Sequence, residues 1–256
     1  AERVPRRQIP RVMTKEILTW FPENENSGAW RVHLTLPQQA EGGSNTTELR
    51  TKTERNLLQT AKRDPNAITR ADAAAQKADN LINRDFTADA PNQKWLTAIT
   101  EVPCLDGKLY VAPIMDCFNG EIVGLAMDDN MRAELCVRAF ENACNTTGAR
   151  AMILHSDRGS QFPSAVFRAC LAKHGAIQSM SGTGRCYDNA RMESFFATLK
   201  KEKLYRINTS KLTIEEVKSI IFRFIMVYYN RQRIYTANPG GWPPVVFRHM
   251  AMPAAA

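Results

Sequence analysis

Long hydrophobic runs are missing from this 256-residue chain, and no apolar stretch approaches the ~20 residues that span a bilayer, so a membrane-spanning role is not expected. Clustered cysteines are missing too. Cys104, Cys117, Cys136, Cys144, Cys170 and Cys186 are spaced by 13, 19, 8, 26 and 16 residues, and His33, His155, His174 and His249 are equally scattered. No pair makes the short clip of a zinc module, so buried free thiols and no structural metal are expected. The opening AERVPRR lacks the apolar stretch of a secretory signal, which makes the cytoplasm the expected compartment and a soluble protein the expected form. No fixed-period repeat is present, which excludes a solenoid or propeller. G-x-S-x-G is absent, so Ser156 and Ser160 beside His155 do not make a serine hydrolase. Gly182-Thr183-Gly184 follows neither G-x-G-x-x-G nor a Walker pattern and is expected to form a mobile loop rather than a nucleotide cradle.

What the chain has is a globular composition, 44% hydrophobic and 23% charged, with enough length for one large domain or two modest ones. Its net charge of +8 is unevenly placed. Residues 1–90 hold 14 basic and 12 acidic side chains, 91–195 hold 10 and 11, and 196–256 hold 10 and 3. The excess therefore sits in the last segment, as either a solvated helix face or a surface for a phosphate-bearing partner.

The patterning divides the chain. Residues 1–79 are poorly patterned, with a loop at Pro37–Asn45 and helical candidates at Glu48–Ala61 and Ala71–Ile82, and they are expected to form a mostly helical N-terminal region whose function stays open. Residues 80–90 read as a linker, 91–205 as the core and 206–256 as a basic helical extension. In the core, short β-branched and apolar runs predict strands over Trp95–Thr100, Lys108–Met115 and Glu121–Ala126, the last two joined by an Asn119-Gly120 hairpin turn. A helix over Met131–Cys144, a strand over Ala151–Leu154, a helix over Phe162–His174 and a strand over Ala176–Met180 follow. Asp188 is the expected N-cap of a long helix whose Met192, Phe195, Phe196 and Leu199 form one apolar stripe. Thr213–Tyr229 reads as another, with Tyr229 buried. This order predicts an α/β fold, an RNase H-like mixed sheet flanked by helices.

Asp157 follows a buried strand, at the carboxyl edge where α/β sheets bind ligands. Glu193 lies one turn into the next long helix, on the side opposite the apolar stripe, with 35 residues between the two. Hard carboxylates converging from a strand end and a helix suit Mg²⁺, and a pair of such ions can serve phosphodiester chemistry. Taken alone, a solvated Asp and Glu are the commoner reading.

The context decides. His155-Ser156-Asp157-Arg158-Gly159-Ser160-Gln161-Phe162, Ser179-Met180-Ser181, Tyr187-Asp188-Asn189-Ala190, Met192-Glu193-Ser194-Phe195-Phe196 and Leu199-Lys200 together resemble the integrase-core DDE transposases of bacterial insertion sequences. Asn80 to Phe86, Trp95-Leu96-Thr97-Ala98-Ile99-Thr100 and Tyr228-Tyr229-Asn230 with Arg233 extend the resemblance over about Asn80 to Phe247. It implies an enzyme that cuts its element's ends and joins the freed 3′-OH to DNA, with Asp157 and Glu193 as catalytic metal ligands for Mg²⁺ or Mn²⁺. It also implies double-stranded DNA as partner, a homo-oligomer of two or more subunits, no membrane, and association with the bacterial nucleoid.

One departure matters. Where the family carries its first metal-binding aspartate, this chain has Ala98, and a methyl group cannot ligate a cation. Negligible strand transfer is expected, with a two-ion site only where Asp is restored at position 98. An engineered knockout accounts for one missing carboxylate in an otherwise intact motif set better than drift; natural decay is the alternative. Asp106 and Asp116 read as turn residues rather than substitutes. Tyr235 stands where the family commonly has His. The expected DNA contacts are Arg158, Lys200, Lys201, Asn230, Arg231 and Arg233. Lys200, two turns after Glu193, would hold a phosphate, while Arg158 would either clamp a phosphate or pair with a nearby acid. A non-catalytic DNA-binding regulator and a simple nuclease are the competing functions.

Overall fold

The structure, a computed structural model, describes residues 78–252. The expected helix at Glu48–Ala61 lies outside the described residues, and the described end of the second, from Ala78 to Ile82, is not helical.

Six strands form one mixed sheet: β1 (Lys94–Thr97), β2 (Thr100–Cys104), β3 (Gly107–Asp116), β4 (Ile122–Asp128), β5 (Ile153–Ser156) and β6 (Ile177–Met180). Their order is β2-β3-β1-β5-β6, with β4 on β3. β1 and β2 are one strand with an interruption, because Thr97 faces Ile114 and Thr100 faces Val111 in a single register along β3. The gap at Ala98-Ile99 falls beside Pro113, which has no N–H for a ladder bond, and the Thr97 hydroxyl donates to the Pro113 carbonyl instead, at 3.0 Å. The expected strand at Trp95–Thr100 thus stops early and resumes. Thr100–Cys104 went unread because Glu101 and Pro103 dilute its apolar character. The Asn119-Gly120 turn joins β3 and β4 antiparallel as expected, with Gly120 at φ +77°; a Cβ there would lie 2.5 Å from the Tyr235 ring.

Helices cover both faces. Leu135, Cys136, Ala139 and Phe140 of α1 (Ala133–Thr147) and Phe167 and Leu171 of α2 (Ala165–Lys173) pack with Trp95, Ile114 and Leu154. On the opposite face, Met192, Phe195 and Leu199 of α3 (Ala190–Glu202) and Val217 and Ile221 of α4 (Ile214–Arg223) pack with Leu96, Val111 and Met115. Trp95 and Leu96 face opposite clusters because side chains alternate along a strand. α4 begins with a capping box between Thr213 and Glu216 and runs on as one π-helical stretch, Phe224–Tyr229, which buries Ile225 and Tyr229 as expected for Tyr229. Asp188 is not the N-cap of α3. It lies in the preceding 3₁₀ turn, Cys186–Asn189, and its carboxylate accepts from Asn80, Arg84 and the Gly182 amide at 2.8–3.0 Å. α5 (Pro244–Ala251) docks on the β3–β4 turn through Arg248, which pairs with Asp116 and Glu121 at 2.7 Å. Cys104, Cys117, Cys136, Cys144 and Cys170 are buried free thiols, as expected.

Candidate active site

The sheet's carboxyl edge brings positions 98 and 157 side by side. β1 and β5 are parallel, with Thr97 opposite Ser156, so the next residues out are Ala98 and Asp157. Adjacent strands lie about 4.8 Å apart. Ala98 is 7% exposed and belongs to the cluster with Met192 and Phe195, which places its methyl on the face that α3 covers.

Asn189 fixes α3 over this edge. Its side-chain amide donates to the Thr97 carbonyl at 2.9 Å, and Asn189 is 3% exposed. Glu193 follows four residues later, one helical turn on, so it rises from the same side of α3 as the anchor. The electrostatics agree. Desolvation raises the Glu193 pKa first, and the charge of Asp157 raises it further. Asp157 is raised by burial, against one stabilising hydrogen bond from the Gly159 amide at 2.9 Å. Two mutually repelling, partly desolvated carboxylates form a site that favours a cation, and oxygen donors suit a hard divalent ion. Position 98, beside Asp157 in the register, adds no third carboxylate to this pair.

Behind Asp157, His155 is wholly buried and fully hydrogen-bonded. Ser181 Oγ donates to the Ser156 carbonyl, so it accepts from His155 Nε2 at 3.1 Å, and Ser179 Oγ, which accepts from the Leu81 amide, donates to Nδ1 at 2.8 Å. Every group is satisfied with a neutral imidazole, and burial pushes the His155 pKa down to about 4. Ser156 Oγ donates to the Asp157 carbonyl rather than pairing with His155. Asn189, His155 and Asp188 were not expected as site residues; the signal available was their presence inside the recurring motifs.

The basic residues separate into two groups. Lys200 is half-buried, Lys201 and Arg231 are exposed, and none of the three makes an ion pair with a described residue. Two expected DNA contacts are turned inward instead. Asn230 is 4% exposed and exchanges hydrogen bonds with both backbone groups of Ile122, at 3.0 and 2.9 Å. Arg233 forms a two-pronged pair with Glu202 at 2.8 and 3.0 Å and lies over the Tyr229 ring. Among the described residues Arg158 meets no acid: its Nε donates to the carbonyl of Ser181, the residue before the Gly182-Thr183-Gly184 loop, at 2.5 Å. Asp116 and Asp106 are structural as expected, Asp116 under Arg248 and Asp106 accepting the Ile214 amide at 2.8 Å. Tyr235 receives a hydrogen bond from Arg191 at 3.1 Å, and Arg191 also donates to the Phe86 and Cys117 carbonyls at 2.6 Å.

Two integrase core domain profiles match the chain, over residues 88–186 and 193–252. An uncharacterised transposase-like protein of Haemophilus influenzae is 40% identical over 175 residues, covering 68% of this chain and 79% of that protein. An uncharacterised 31 kDa protein of insertion element IS600 from Shigella sonnei is 40% identical over 202 residues, 78% and 72% of the two chains. The transposase for insertion sequence element IS904 of Lactococcus lactis is 40% identical over 158 residues, 61% of this chain and 62% of that one. Among solved structures, a chain of the simian T-cell lymphotropic virus intasome in complex with PP2A regulatory subunit B56 gamma superposes with a TM-score of 0.54 at 14% identity, covering 87% of this chain and 76% of that one, which establishes the RNase H-like sheet.

Proposed function

The chain belongs to the integrase-core family of insertion-sequence transposases, and on that premise we propose that its sheet edge is a site for divalent-metal-dependent cutting and joining of DNA ends, disabled here by Ala98. The observation that carries the reading is the register that sets Ala98 beside Asp157, with Glu193 swung over them from the Asn189 anchor. Asp157 and Glu193 would hold Mg²⁺ or Mn²⁺, which when bound would supply stabilisation of the charge that develops on the phosphodiester oxygens. Lys200, two turns along α3 on the Glu193 side, steadies a phosphate next to the carboxylates, and Lys201 and Arg231 extend the basic surface for the DNA backbone. The His155 network holds the β5–β6 edge rigid, so the protein's contribution is positioning. Double-stranded DNA carrying the element ends is the substrate, and a homo-oligomer brings two ends together.

Ala98 also favours a second reading, a transposase-derived protein that binds DNA without cutting it. Restoring the carboxylate separates the two. With DNA bearing the ends of its own element and Mg²⁺, the Ala98→Asp chain joins strands while the parent does not. An Ala98→Asp chain that binds these ends yet remains inert supports the regulator, and hydrolysis without joining supports a simple nuclease.

A further inference from the structure

On the far side of the sheet, α1 and α2 bring together three side chains that the transfer reaction does not use. Glu141 of α1, Cys170 of α2 and His174 at the end of α2 each present one ligand atom, and the three atoms lie within 4.8 Å of one another. Cys170 and His174 are four residues apart and so share one helix face. That face is turned to α1, where Phe140 packs edge-on against both Phe167 and His174. Cys170 and His174 are each 8% exposed.

His174 is incompletely satisfied. Its Nδ1 lies 3.0 Å from a guanidinium nitrogen of Arg150, a group that only donates, so Nδ1 carries the lone pair and Nε2 the proton. Nε2 is enclosed and has no hydrogen-bond partner. A fourth candidate, Cys144 of α1, is 4% exposed and lies in the same buried cluster as Cys170.

We propose that Glu141, Cys170 and His174 form a zinc site that clasps α1 to α2. Thiolate, imidazole and carboxylate are the donor set zinc prefers over Mg²⁺, and three protein ligands leave one position for water or Cys144. On binding, the Cys170 thiol releases its proton to solvent and forms the sulfur–zinc bond, the Arg150 guanidinium that donates to His174 Nδ1 turns out into water so that this lone pair passes to zinc, and Nε2 keeps its proton. Lys173, 3.8 Å from Glu141 with a 71% exposed side chain, swings into water. Spacing along the chain conceals such a site, because the glutamate comes from a different helix.

The test is titration of the full, metal-free chain with Zn²⁺ in excess Mg²⁺, which occupies the carboxylates at the sheet edge. We expect one tight equivalent, a thiolate-to-metal charge-transfer band with Co²⁺ as probe, and a higher melting temperature with zinc. Cys170→Ser should abolish the band, and Glu141→Gln, at a half-exposed position that tolerates the change, should weaken zinc by more than about tenfold. Cys104→Ser, in the opposite cluster, should bind as the parent does. A parent that holds no zinc, or zinc held equally by parent, Cys170→Ser and Glu141→Gln, overturns the proposal.

Discussion

Protonating His155 would set two hydrogens against the Ser179 hydroxyl, which already donates to Nδ1. The folded chain resists this down to about pH 4, whereas an unfolded histidine takes its proton near 6.5. Over that window the unfolded state binds more protons, so stability is full above 6.5 and falls by about 1.4 kcal/mol per unit as the pH drops toward 4. His155→Gln should flatten this part of the acid limb, as read from denaturant midpoints at successive pH values. Asn189→Ala should cost about 1–3 kcal/mol in urea unfolding, because the Thr97 carbonyl loses its amide partner and α3 its anchor. Asp157 and Glu193 stand out in the sequence because local motifs surround them, and the structure sets Asp157 at the sheet edge within electrostatic reach of Glu193. The inward turn of Asn230 and Arg233 was not legible there, since a sequence displays a polar side chain but not the partner that claims it: Ile122 and Glu202 lie 108 and 31 residues away.

The Arg233–Glu202 pair links the end of α3 to the segment after the π-helical stretch, with side chains only 11% and 3% exposed. Breaking it leaves a buried charge, so Glu202→Ala should destabilise by about 3–5 kcal/mol, measured by chemical denaturation. The same inward commitment predicts that Arg233→Ala lowers stability but leaves the salt dependence of DNA binding unchanged. Arg231→Ala, at an exposed position on the same stretch, should lower the slope of log affinity against log salt by about 0.9 with little loss of stability. An altered slope with Arg233→Ala and none with Arg231→Ala would contradict this division. Among the elements, β3, β4 and α1 were readable because their apolar periodicity is strong. β2 was lost to Pro103 and Glu101. The start of α3 was misassigned because Asp188 has cap chemistry but spends it on Asn80, Arg84 and Gly182.

At the scale of the molecule, the sheet separates two clusters with different tasks. The α3–α4 side buries Ala98 and carries Glu193, and the α1–α2 side holds Cys170 and His174. No helix among the described residues is long and apolar enough to cross a membrane. The strand-helix alternation was enough to read an RNase H-like sheet from the sequence, because alternating periodicity is a local property. How the ends of β1, β5 and α3 converge is set by the parallel register and by Asn189, which local patterning does not reveal. That convergence can be measured without DNA, by titrating Mn²⁺ into a double-mutant cycle of Ala98→Asp and Asp157→Asn. If the two positions share one ion, Ala98→Asp tightens Mn²⁺ by at least about tenfold, and Asp157→Asn removes most of that gain. An equal gain with and without Asp157 would mean that the two positions do not meet at a common cation.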